Sequence, residues 1–264
     1  MVHADTELYA GRTERRNYLR QQKGFDCACV RCVAPPQKDA SLDGWLCQVS
    51  GCEGVVGEGD HSCAICAAAH ALAPPARASI ERRWTAAIDE ATAGLHGGRG
   101  SANVVPTGQN PRGDSGSCQN PRGDSGSCEA AMAVVERVLS QSSGKLHEHH
   151  ALRNKARRLK VYALPAGSPP AVLVLALEGC LSGLTLHLPR GHPETAFFQH
   201  WLARALSDEA ASHPAGSALR KRLRLQARHA SNAATEGLTI SYGADHPFVH
   251  TWRASDAERD KTLL

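Results

Sequence analysis

Seven of the ten cysteines in this 264-residue sequence fall between Cys27 and Cys66, in spacings that suit a metal ion. Cys47-x4-Cys52 and Cys63-x2-Cys66 are two thiol pairs joined by a ten-residue loop. Each pair can sit on one short turn, and four thiolates complete the tetrahedron that structural zinc prefers. Gly51, Gly54, Gly57 and Gly59 suit the tight turns of such a site. His61 and His70 lie close by, but a full cysteine tetrad leaves them no required role, so they are expected to be solvated neighbours. A second group, Cys27-x-Cys29-x2-Cys32, offers three ligands where a closed structural site needs four. The fourth can come from His3, from a cysteine of a neighbouring chain or from a missing domain, or the loop holds no metal.

Other polar clusters read as surface. HEHH at His147–His150 can hold a metal at i, i+3 spacing, but an exposed polar helix face is the expectation. RKRLR at Arg220–Arg224 reads as the solvated side of an amphipathic helix whose other face carries Leu219, Leu223 and Ala227. No nucleophile–base–acid triad and no phosphate-binding glycine loop is visible.

The elements that must position the cysteines are mostly helices. Abundant Ala and Leu, few aromatics and little β-branched alternation favour helix over sheet, and 42% hydrophobic content is enough for a packed core. Ile80, Trp84, Ala87, Ile88, Ala91 and Leu95 share one helical face behind Pro74 and Pro75. Met132, Val135, Val138 and Leu139 share another, and helices follow over KLHEHHALRNKARRLKVYAL and PPAVLVLALEGCLSGLTLHL. Pro193 and Pro247 mark later helix starts, with a helix between them in PAGSALRKRLRLQARHASNAATEGL, Pro214–Leu238. The succession predicts antiparallel pairs in a tetratricopeptide-like array, although no strict repeat of that class is visible.

A perfect tandem decapeptide, QNPRGDSGSC, occupies Gln109–Cys118 and Gln119–Cys128. Its Gly, Pro, Ser and Asn content cannot bury enough apolar area to offset chain entropy, so residues 96–128 are expected to be a disordered insertion with Cys118 and Cys128 as free thiols. The Arg-Gly-Asp triplets at Arg112 and Arg122 belong to this repeat and are not read as adhesion signals. The expected organisation is therefore residues 1–32, a zinc knuckle over 33–70, and a helical domain over 71–264 interrupted by the insertion.

Charge and hydropathy bound the partners. A formal net charge of +4 is far from the basic footprint of a dedicated nucleic-acid binder, so nucleic acid is not expected as a direct partner. The opening MVHADTELYAGRTERR lacks the apolar stretch of a secretory signal, which predicts the cytoplasm or nucleus. The longest apolar run, Ala171–Leu177, stops at Glu178, well short of the roughly 20 residues of a membrane-crossing helix, so no membrane partner is expected.

The stretch Tyr9–Cys32, YAGRTERRNYLRQQKGFDCACVRC, resembles the post-SET segment of SET-and-MYND-domain lysine methyltransferases, with basic residues, a Leu, an aromatic and then Cys-x-Cys-x-x-Cys. GWLCQVSGCEGVV followed by CAIC looks like the extra cysteine knuckle of many members, and HPETAFFQHWLARAL and EGLTISYGADHPFVHTW look like their C-terminal helical domain. The resemblance implies that Cys27, Cys29 and Cys32 share a zinc with a cysteine of the SET core, and that Phe25 lines the channel for S-adenosylmethionine and lysine. The MYND finger, the Asn-His motif that binds the donor and the SET tyrosine have no counterpart in these residues, so S-adenosylmethionine is expected only together with the SET core. What the resemblance implies is a C-terminal portion of a lysine methyltransferase, inactive alone, whose helical domain shapes access for a protein substrate. A standalone zinc-containing helical adaptor for a partner peptide is the alternative.

Overall fold

The computed structural model describes residues 10–33, 39–57, 59–95, 125–247 and 249–252. It is mainly helical and falls into two compact units, Met1–Ala166 and Gly167–Leu264, a boundary that splits the region expected to be one helical domain.

The first unit opens with α1 (Arg12–Lys23), a very polar helix in which only Arg15 and Leu19 are buried. Such a helix has too little apolar face to dock by burial, and ionic contacts hold it instead. Arg15 pairs with buried Asp39 at 2.6 Å and also donates to the Ala10 carbonyl, while Asp43 accepts from the Arg12 N–H at 3.0 Å. Gly24 ends the helix at φ 71°, a left-handed value that a Cβ would disfavour. The short helices α2 (Val30–Val33) and α3 (Ala40–Asp43) follow, and then a two-stranded antiparallel ribbon of β1 (Trp45–Leu46) and β2 (Val55–Val56), with Trp45 opposite Val56.

The core of this unit forms where the ribbon meets α4 (Pro74–Leu95), α5 (Ser125–Ser142) and α6 (Ala151–Ala163). Trp45, Trp84, Ile88, Leu95, Val135 and Leu146 are buried together. The faces read from periodicity are the ones that pack: Ile80 and Ala91 lie partly buried beside Trp84 and Ile88, and Met132 and Leu139 beside Val135 and Val138. The two indole rings of Trp45 and Trp84 stack at 6.3 Å, and each N–H finds an acceptor, Glu81 for Trp45 and Gln141 for Trp84.

Most of the expected insertion, residues 96–124 with Cys118, lies outside the described residues. Its last four residues do not fit the expectation, because α5 already begins at Ser125. Cys128, in the first turn, packs partly buried against the core, and that contact draws the end of the second decapeptide into the helix. The His147–His150 cluster also differs from the expected exposed helix face. It precedes α6, and buried His150 is the N-cap, its Nδ1 accepting from the Leu152 N–H at 3.2 Å.

The second unit contains α7 (Pro170–His187), α8 (Pro193–Ser212) and α9 (Ala218–Tyr242), each packed on the next and joined by short connections. His192 caps α8 ahead of Pro193, and Ser217 caps α9 by accepting from the Arg220 N–H. Gly237 permits close approach of α9 to α8, since a Cβ there would stand 2.9 Å from that of Ala196. A helical turn begins at Pro247. By length and composition alone α7 is apolar enough to cross a membrane, which the run Ala171–Leu177 by itself does not convey. Here about a third of it is buried, with Val174, Leu177, Leu181 and Leu184 inward and Val172, Leu175 and Leu186 exposed.

Burial, followed by the nearby Arg153 and His147, pushes the pKa of His150 down to about 3. An unfolded histidine titrates near 6.5, so below that pH the unfolded chain takes up a proton that the folded chain refuses, and stability falls until the pH reaches the folded value. We expect this group to cost about 2 kcal/mol between about pH 7 and about pH 5. His150→Asn retains a capping acceptor without the titration, so urea melts of the variant should show a shallower loss over that range.

Candidate metal centre

The ribbon and the loops around it bring four sulfurs together. Cys47 follows β1, Cys52 precedes β2, and Cys63 and Cys66 lie on a turn beyond it. The four Sγ atoms lie within 4.8 Å of one another. Cys47 and Cys66 are 3.5 Å apart, and Cys52 and Cys63 3.8 Å. A zinc ion bound by four sulfurs at ~2.3 Å spans edges of about 3.8 Å, so the donor set fits that ion in both kind and spacing.

Local backbone geometry builds the cradle. The Cys47 N–H donates to Gly54 O, and the Cys52 N–H to Val49 O, across a turn that places Gly51 at φ 77°. In the second turn the Cys63 N–H donates to Ala68 O and the Ala67 N–H to Cys63 O, which sets Ala67 at φ 57°, unusual for a residue with a side chain. The N–H groups of Val49, Gly54 and Ile65 point at the sulfurs of Cys47, Cys52 and Cys63, at 3.4–3.5 Å. A Cβ on Gly54 would stand 2.3 Å from the Cys63 sulfur and 3.2 Å from that of Cys52, so this position must lack a side chain.

The electrostatics are those of a cation site. The N–H groups of Cys66 and Ile65 pull the Cys63 thiol down to about 7. The Val49 N–H also pulls on Cys47, but burial and the neighbouring thiols outweigh it and push that group up to about 12. Cys52 is raised as well, against the pull of the Gly54 N–H, by burial and by Cys66. Thiolates packed this closely repel one another, and a cation among them would remove that cost.

A residue unremarkable in the sequence anchors the centre. Arg77, from the first turn of α4, is buried and donates to the carbonyls of Val56, Gly57 and Asp60, the loop between the two knuckles. Trp45, just ahead of Cys47, meets the edge of His70 at 5.7 Å. His70 is therefore not a solvated neighbour. Burial lowers its pKa, and its Nδ1 accepts from the Leu72 N–H, while His61 is exposed as expected.

Cys27, Cys29 and Cys32 also converge within 4.8 Å, with Cys29 exposed and the other two buried beside Leu19. Burial, then hydrogen bonds with Cys29 and Cys27, push the Cys32 thiol up to about 11. No fourth ligand joins this group among the described residues, and His3 lies outside them. Phe25 is 37% exposed. A cleft of about 440 Å³ in this unit is lined by Glu14, Asp43, Glu81, His150 and Lys155 among others, and neither Phe25 nor any cysteine lines it. Comparison with protein-family models and with characterised proteins gives no match.

Two substitutions probe the cradle. Gly54→Ala should weaken zinc binding by at least tenfold in a competitive chelator titration, whereas Gly59→Ala, which meets nothing within 4 Å, should leave it unchanged. Arg77→Met removes the guanidinium donor from three inward carbonyls, of which only that of Gly57 keeps the Asp60 N–H among the bonds described, and should cost about 2–4 kcal/mol in urea unfolding, with faster amide exchange around Val56–Asp60.

Proposed function

We propose that this chain is a zinc-binding, tetratricopeptide-like helical portion of a SET-and-MYND-type protein-lysine methyltransferase, in which zinc is structural and methyl transfer depends on a SET core. The observation that carries this reading is the pairing of a complete four-thiol cluster with one that is a single ligand short. Cys47, Cys52, Cys63 and Cys66 hold one zinc without outside help. Cys27, Cys29 and Cys32 hold three corners of a second site that a cysteine from a SET core would close. In both, the ion would cross-link loops that bury little apolar surface. The exposed Phe25 beside the second cluster is one wall of a channel whose other walls belong to that core.

Elemental analysis of the purified chain should find one tightly held zinc, released by Cys47→Ser. Calorimetric titration with S-adenosylmethionine should give no heat of binding, because nothing in these residues positions the donor. Serine substitutions at the three-thiol cluster should change little in this chain, but should destabilise a longer one that includes the core. Two zinc ions of similar affinity, with Cys29→Ser losing one, would overturn the reading in favour of the standalone adaptor.

A further inference from the structure

The first half of α9 carries Arg220, Lys221, Arg222, Arg224 and Arg228, with no acidic residue between Ser217 and Glu236. Glu236 itself pairs with Arg190. Among the described residues no carboxylate pairs with Lys221, Arg222, Arg224 or Arg228. Two features make this arrangement unfavourable for the helix by itself. Arg220 with Arg224, and Arg224 with Arg228, are like charges four residues apart, and all five cations sit toward the positive end of the helix dipole.

The outward face has a defined pattern. Leu223, Ala227 and Ala230 point inward and are buried. Leu225, on the opposite side, is 54% exposed, and its helical neighbours at i−4, i−3, i+3 and i+4 are Lys221, Arg222, Arg228 and His229, all but Leu225 polar and all exposed. An apolar side chain is thus ringed by positive charge.

We propose that this face of α9 docks an acidic peptide segment of a partner protein, with one apolar side chain of that segment covering Leu225. Carboxylates would meet the three exposed cations of this face, Lys221, Arg222 and Arg228, and such complementarity sets partner choice and encounter rate. A nucleic acid fits less well. Its phosphates offer nothing to cover a leucine, and α9 has no Phe, Trp or Tyr before Tyr242 on which a base could stack. A membrane fits less well too, because surface-bound helices insert a broad apolar face and this one presents a single leucine. The inference is independent of the metal centres, which lie on other elements.

The test is fluorescence anisotropy on the full chain, using a labelled peptide of Asp and Glu with one central Phe, and the same peptide with Ser in its place. The Phe peptide should bind at least about threefold tighter than the Ser peptide, and more weakly as salt is raised. Combined Lys221→Glu, Arg222→Glu and Arg228→Glu should weaken it at least about tenfold. Leu225→Ser should abolish the preference for Phe while leaving the charge-driven part, and matched circular dichroism melts would show that both variants fold. Equal binding of the two peptides would overturn the proposal. So would an unchanged affinity in the charge variant, or tighter binding of single-stranded DNA or phosphatidylserine vesicles than of the Phe peptide.

Discussion

The first unit depends on a charge placed where charges are costly. The Arg77 guanidinium is 1% exposed, and burial lowers its pKa, countered in part by Glu81 and Asp60. It stays because three backbone carbonyls of the knuckle loop accept from it. The Gly57 carbonyl also accepts from the Asp60 N–H, so the arginine reinforces a turn bond there, and arginine and loop each satisfy a requirement of the other. An apolar residue at this position would take the guanidinium donor away from all three carbonyls.

From that contact the rest of the unit can be followed outward. Seven residues beyond Arg77 on α4 stands Trp84, and Trp84 stacks on Trp45, whose strand leads directly into Cys47. Arg77 and Trp84 therefore hold the knuckle from two sides, one at the loop after β2 and the other at β1. The Leu46 N–H donates to Lys145 O at 2.7 Å, which ties the same ribbon to the segment between α5 and α6. The cysteine-rich part is built into the helical part rather than attached to it, and for this reason the unit runs to Ala166 instead of ending near residue 70.

This explains which features could be read from the sequence. The thiol tetrad was legible because its ligands are local, and zinc chemistry fixes how far apart paired ligands can be. The apolar faces of α4 and α5 were legible because helical periodicity is written directly in Ile80, Trp84 and Ile88 and in Val135 and Val138. Arg77 was not, since an arginine in a first helical turn looks like any solvated side chain until the loop folds over it. His150 was misread for a related reason: in HEHH all four residues look polar, and only the position of the helix start makes the last one a buried cap. The start of α5 at Ser125 was hidden because the composition of the repeat is that of a linker, and a tertiary contact at Cys128 overrides it.

The two thiol clusters differ in how much of the surrounding fold fixes their geometry. The four-thiol cradle is fixed by two turns, three N–H···S contacts, a ribbon and the buried arginine, all local to the ligands. Backbone contacts of this kind hold ligands in place, and a well-supported ligand set favours high affinity. The three-thiol cluster has α1 on one side and the one-turn α2 on the other, with Leu19 and Tyr18 as its apolar support. Helix α1 is itself held by the Arg15–Asp39 pair rather than by a broad apolar face. A fourth ligand at this second site would therefore supply both a missing corner of coordination and a second attachment for the helix, and metal binding there is coupled to the folding of its surroundings in a way that the first site is not.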